Sequence, residues 1–279
     1  MRNASAYLCP GTLDEAIAAV QAQPGRAAYL AGGTALAERD DPRVETLVDL
    51  AGLGLDRVED LNTGIRIGAM VTLERLRRNS QAARLGDGIL GEALGRTRTE
   101  AWRNQATLGG RLRQAFAGDL VTTALLTLDA RVTVQQFPHA PPEKIALGSM
   151  GDLDPGALLL AVEISSQDGW SHALESLHLT TLDRPIVAVG LGLRLEVGRI
   201  TAGRVATCGL APSPVRASQV ENTLRGATLE SDYEAWLRAF ANDMRPTGDW
   251  RGSSSYRAHL GQVLLGRAFR RLLAPAGEA

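Results

Sequence analysis

Lysine is almost missing from this 279-residue chain: of its 30 basic residues, 29 are arginine and one is Lys144. A P-loop needs a lysine after its glycines, and Schiff-base or amine general-base chemistry needs a lysine able to lose its proton. Only Lys144 could serve, and it follows the loop-like stretch Pro138-His139-Ala140-Pro141-Pro142-Glu143 with no glycine turn before it. Cysteine is nearly as scarce. Cys9 and Cys208 lie far apart without a CxxC pair, so the ligand sets of iron–sulfur clusters and structural zinc are missing and two reduced thiols are expected. The four histidines, His139, His172, His178 and His259, show neither i,i+4 pairing nor HExxH, so no metal site is expected. No apolar run reaches the roughly 18 residues of a membrane span. The start leads into no long apolar stretch before Pro10-Gly11, so no secretory leader is expected and the location is read as cytoplasmic. An excess of either charge is missing too: 30 basic against 31 acidic residues give a net charge of -1, which offers no field for nucleic acid or an anionic membrane.

What is present is an ordinary globular composition, 44% hydrophobic and 22% charged, in a length that suits about two domains at roughly 150 residues each. Thr12-Leu13-Asp14-Glu15 has capping-box form and predicts a helix ending before Pro24-Gly25. Segment 27–31 reads as a strand running into Gly32-Gly33-Thr34, and 46–50 as another strand. Asn62-Thr63-Gly64 signals a hairpin, and Thr72 can cap a helix over 73–78. From 81 to about 104 the pattern is helical, stopping at a second glycine turn, Thr107-Leu108-Gly109-Gly110. A helix follows Asp119, strands are predicted at 131–136 and 158–164, and 165–171 reads as a linker. Beyond it, 186–196 and 204–210 read as antiparallel strands around Gly198, followed by helical stretches beginning near Val215, Ser231 and Ser254. The pairs Arg77-Arg78 and Arg270-Arg271 read as solvated helix faces.

The two glycine turns carry the most chemical information. Glycine permits positive φ, so successive N–H groups can converge on a phosphate, and two such nests could hold a pyrophosphate without lysine. Each taken alone reads more readily as plain turn punctuation, and the two together strengthen the ligand reading only modestly. Asp119 has two readings, an acceptor for ribose hydroxyls or a carboxylate at a helix N-terminus. No GxSxG elbow or Ser-His-Asp set can be assigned, and Gly190-Leu191-Gly192 lacks the third glycine of a Rossmann turn.

In order along the chain, 31–36 (AGGTAL), 67–72 (IGAMVT), 103–110 (RNQATLGG) and 117–120 (AGDL) resemble motifs of the FAD-binding subunits of molybdenum hydroxylases. Segments 209–216 (GLAPSPVR) and 249–257, from Asp249-Trp250-Arg251 to Tyr256-Arg257, resemble the C-terminal domain of the same family. The resemblance implies an α+β fold: a two-subdomain, PCMH-like FAD-binding region over 1–170 (about 1–53 and 54–170), then a C-terminal α+β domain over 171–279 with a small antiparallel sheet and helices. It implies FAD held by Leu30, Ala31, Gly32, Gly33, Thr34, Ala35, Thr107, Gly109, Gly110 and Arg111, with Asp119 toward the ribose and Leu159 near the isoalloxazine. It also implies electron transfer within a complex. A [2Fe-2S] small subunit and a molybdopterin large subunit are the expected partners, and NAD, oxygen or a quinone the acceptor. Ala35 stands where the family commonly has Asp or Ser, and Arg111 where it has Asn or Ser. Arg111 is thereby either a pyrophosphate partner or an obstruction, and the alternative function is a flavin-free structural or assembly subunit of the same fold.

Overall fold

Thr12 caps the first helix, Leu13–Gln21, as its sequence dictates: Oγ1 accepts from the Glu15 N–H at 3.2 Å, and Glu15 accepts from the Gly11 N–H at 2.8 Å. These distances come from a computed structural model, which describes residues 4–114, 118–228 and 233–273. The chain divides into two compact units made of interleaved segments. The first comprises Met1–Arg78, Thr99–Gln114 and Ala130–Ser165; the second comprises Asn79–Arg98, Ala115–Asp129 and Ser166–Ala279.

In the first unit, β1 (Ala6–Leu8), β2 (Ala27–Leu30) and β3 (Thr46–Asp49) form a parallel sheet in the order β1-β3-β2. Ala16, Ile17 and Val20 recur at helical spacing and close over Val48, Leu50, Leu158 and Leu160. The second sheet of this unit is antiparallel. Its strands are β4 (Val58–Leu61), β5 (Gly64–Gly68), β6 (Arg131–Gln135), β7 (Glu143–Ala146) and β8 (Leu158–Ser165), in the order β4-β5-β8-β6-β7. The predicted hairpin forms with Leu61 opposite Gly64. Lys144, expected after a loop, lies in the edge strand β7 and pairs with Glu163 of β8.

The second unit carries β9 (Trp170–Leu177), β10 (Val187–Glu196), β11 (Arg199–Cys208) and β12 (Val215–Arg216), antiparallel in the order β12-β11-β10-β9. Val197 and Gly198 turn the β10-β11 hairpin with φ of 48° and 72°, the positive values a tight hairpin demands. Val187, Val189, Leu191 and Leu193 point alternately to one face, in a core shared with Leu260, Leu264 and Ala268 of the helix Ser254–Leu273 and with Phe240. Burying each of these large aliphatic side chains contributes about 1.5–3 kcal/mol.

Four expectations are corrected by the structure. The helical pattern of 81–104 breaks into Ser80–Arg84, Ile89–Gly95 and Glu100–Gln105, because Gly86, Asp87 and Gly88 take φ of 58°, 55° and 83° in succession. A right-handed helix cannot pass through three left-handed residues. The linker predicted over 165–171 already contains the start of β9, whose polar residues hid it. The stretch from Val215 begins as β12, and its helix starts only at Ser218. Arg77 and Arg78 bond to buried Glu74, and Arg271 reaches the Leu174 carbonyl, Glu92 and Glu175, so neither pair is merely solvated. The expected helix start at Ser231 lies outside the described residues; a helix runs from Tyr233 to Asp243.

His172 on β9 has a fully buried imidazole whose two nitrogens find no hydrogen-bond partner among the described residues. Desolvation holds its pKa down at about 4, against the opposing pull of Asp87, with Arg204 adding to the depression. An unfolded chain titrates this group near 6.5 and so takes up a proton the folded state refuses. Stability is therefore full above that value and falls as pH drops toward 4, by about 3 kcal/mol over the whole interval. Urea midpoints of the wild type and His172→Leu between about pH 7 and pH 4.5 check this. A wild-type acid limb no steeper than that of the variant rejects it.

Candidate functional site

β2 ends at Leu30 and the chain turns through Gly33, at φ 71°, into the short helix Thr34–Arg39. No side chain caps this helix, and among the described residues the N–H groups of Thr34, Ala35 and Leu36 have no hydrogen-bond partner. Gly32 serves a different purpose. A Cβ there would sit 1.7 Å from the Gln105 carbonyl oxygen, so the loop rests directly on the backbone leading to Thr107.

That second segment is pinned from the other side. Leu108 N–H donates to the Val71 carbonyl (2.9 Å), Gly109 N–H to Ala69 (2.8 Å) and Gly110 N–H to Thr107 Oγ1 (3.2 Å). Gly109 and Gly110 belong to the helix Leu108–Gln114 and do not take positive φ. The expected second nest is thus corrected: its amides are used internally. The glycine at 109 instead allows close approach, since its Cβ would meet the Ala69 Cβ at 2.8 Å.

Between the two glycine segments, within the first unit, lies a cavity of about 320 Å³. Ala31, Ala35, Gly109, Gly110 and Leu159 line it, as do Tyr29, Leu36, Leu50, Met70 and Leu158. Leu30, Gly32, Gly33, Thr34 and Thr107 are not among its lining residues. Tyr29 donates to the Gly156 carbonyl at 2.6 Å, and burial raises its pKa. Gln114 Nε2 donates to the Ala35 carbonyl at 3.4 Å, tying the second helix to the first loop.

The cations of this cavity are Arg39 and Arg113. Arg111 is not among its lining residues; it is buried, with its guanidinium 5.6 Å from the Trp102 ring centre. Arg113 could have been found from the sequence by reading 108–114 as a helix, which puts it on the face of Gly109 and Gly110.

Asp119 belongs to the second unit and is fully buried. It caps the helix Leu120–Thr127, accepting from the N–H groups of Val121 (3.0 Å) and Thr122 (3.4 Å) and from the Thr122 hydroxyl (2.9 Å). Of its two readings, this geometry is that of the helix N-terminal carboxylate; Ala117 of the same motif lies outside the described residues. Asp119→Ala is expected to lower stability by about 1–2 kcal/mol while leaving the affinity for FAD unchanged. Thermal unfolding beside an FAD titration checks both, and a selective loss of FAD affinity would return Asp119 to the ribose.

The model of the FAD binding domain in molybdopterin dehydrogenase matches residues 2–165. The chain belongs to this family. Residues 172–272 match the CO dehydrogenase flavoprotein C-terminal domain. The xanthine dehydrogenase FAD-binding subunit of Escherichia coli O157:H7 is 25% identical, over 98% of this chain and 97% of its own length. The carbon monoxide dehydrogenase medium chain of Afipia carboxidovorans is 26% identical, over 97% of both. The crystal structure of cyanide-inactivated Cu,Mo-CO dehydrogenase shares the fold with a TM-score of 0.86 at 24% identity, covering 96% of this chain and 98% of that one.

This flavoprotein subunit is thus of the oxidoreductase class, with FAD as its cofactor. The residues present fit the group. The amides of Thr34, Ala35 and Leu36 offer anion donors, and the aliphatic and tyrosyl wall suits an aromatic ring system. No helix among the described residues is long and apolar enough to cross a membrane.

Proposed function

We propose that this chain is the electron-transfer flavoprotein of a molybdenum-dependent dehydrogenase or hydroxylase complex. It receives electrons from [2Fe-2S] clusters of a partner subunit and passes them to NAD, oxygen or a quinone. The observation that carries the reading is the cavity beside Gly33, where uncapped amides, two arginines and an apolar wall meet without a carboxylate among the lining residues. FAD supplies the redox chemistry when bound, and the protein supplies binding and electrostatics. The Thr34–Leu36 amides would hold the phosphates, Gln114 fixes the loop that carries those amides, and Tyr29 and Leu159 would exclude water from the apolar side. The chain's two cysteines, too few for a cluster, leave the iron–sulfur relay to another subunit.

Purified protein tests the reading. Flavin absorbance at one FAD per chain, and co-purification with an iron–sulfur and a molybdopterin subunit, are the expected results. A colourless protein that FAD cannot reconstitute leaves the structural or assembly role instead.

A further inference from the structure

Several arginines elsewhere in this chain have carboxylate partners. Glu74 bonds Arg77, Arg78 and Arg103; Asp249 pairs with Arg251 and Arg257; Glu221 pairs with Arg216. Arg39 and Arg113 do not follow that pattern. Arg39 ends the helix Thr34–Arg39 and lines the cavity; its guanidinium makes no hydrogen bond or close ion pair among the described residues, and its charge acts on Asp41 only at longer range, helping to lower that carboxyl's pKa. Arg113 anchors only Nη2, which donates to the carbonyls of Pro155 (2.8 Å) and Asp154 (3.4 Å). Its Nε and Nη1 have no hydrogen-bond partner among the described residues, and they are not sealed from solvent.

Among the described residues no Asp or Glu lines this cavity. Burial lowers the Arg113 pKa, and the charge of Arg39 adds to that, while Tyr29 and Asp154 oppose it. Two like charges facing one half-enclosed apolar space repel each other, and an anion bound between them removes that repulsion. A guanidinium held at one nitrogen by backbone carbonyls keeps a donor edge in fixed orientation, as a phosphate oxygen pair requires.

We infer that Arg113 and Arg39 form a cation pair that grips the diphosphate of the bound dinucleotide and makes this site select a diphosphate-bearing ligand. The inference rests on the FAD reading above and adds to it two residues of defined role. Arg113 is the donor anchored at the cavity wall, and Arg39 is the one presented from the exposed helix end.

The test uses the full chain, stripped of flavin, titrated with FAD and separately with ADP, which carries the diphosphate without the flavin. Arg113→Gln and Arg39→Gln are each expected to weaken both ligands about tenfold, and the double variant about a hundredfold. The decline of FAD affinity with added salt should flatten in the double variant, a change that loss of packing alone would not produce. Arg39→Gln, at an exposed helix end, keeps the test open if Arg113→Gln fails to fold. Variants that bind FAD and ADP as the wild type does, or that weaken them with an unaltered salt dependence, overturn the assignment and leave the FAD reading intact. A wild type that binds neither ligand overturns both.

Discussion

Gly32→Ala is expected to abolish FAD binding, and to do so more completely than Gly33→Ala. The new methyl carbon would lie 1.7 Å from the Gln105 carbonyl oxygen and 2.7 Å from its carbon. Both are backbone atoms, so no side-chain rotation relieves the overlap. The loop must lift from residues 105 and 106, carrying with it the Thr34–Leu36 amides that the phosphates need. Gly33 has the more suggestive dihedral, φ 71°, yet a Cβ there meets nothing nearer than Leu30 Cδ1 at 3.6 Å. Alanine at 33 therefore costs only the left-handed backbone, about 1–2 kcal/mol. Flavin content per chain after purification and the unfolding midpoint of each variant measure the difference. Full FAD occupancy in Gly32→Ala would sink the argument, and a larger loss at 33 than at 32 would show that the dihedral dominates.

This contrast marks how far the sequence could be read. Gly32-Gly33 and Gly109-Gly110 look alike in the sequence, and positive φ explains only one of the four residues. Gly32 and Gly109 are small because another backbone or a Cβ approaches them, and that neighbour lies far away in sequence. Local elements with local causes were legible: the Thr12 cap, the Asn62-Thr63 turn and the β10-β11 hairpin depend on residues within a few positions. The break at 86–88 has a local signal too, since Gly86-Asp87-Gly88 pairs two glycines with an aspartate, residues that tolerate the left-handed φ they take, but the helical periodicity on either side outweighed it. The arginine of 108–114 that lines the cavity is Arg113, two positions beyond the expected Arg111. Arg111 and Arg113 differ only in which side of a short helix they occupy, and treating 108–110 as a turn concealed that helix. The ordered motif set located the family, but that set could not say which of its residues face the cavity.

Glu74→Ala is expected to be the most destabilising single change outside the cofactor cavity, at about 3–5 kcal/mol. Glu74 is 1% exposed and accepts from Arg103 Nε (2.7 Å), Arg77 Nη2 (2.6 Å) and Arg78 Nε (3.0 Å). Arg77 and Arg78 reach solvent and could rehydrate; Arg103, 7% exposed, could not. Removing the carboxylate takes charge-assisted hydrogen bonds from three arginines at once, and because Arg103 stays buried its desolvated charge adds to the lost bonds in setting the cost. The same arginines hold the Glu74 pKa down at about 2, through the hydrogen bonds of Arg77 first and then of Arg103 and Arg78, against burial. The stability this contributes is present above the ordinary glutamate value of 4.5 and is lost as pH falls toward 2. Glu74 also joins the helix Leu73–Arg78 to the helix Glu100–Gln105, whose last carbonyl supports Gly32. Loosening it should therefore weaken FAD retention as well as the fold. Urea unfolding of Glu74→Ala, Arg103→Met and the pair Glu74→Leu/Arg103→Met separates the terms. If the buried charge of Arg103 sets much of the cost, the double variant recovers most of the stability lost in Glu74→Ala; a double variant as unstable as the sum of the singles would place the cost in packing instead.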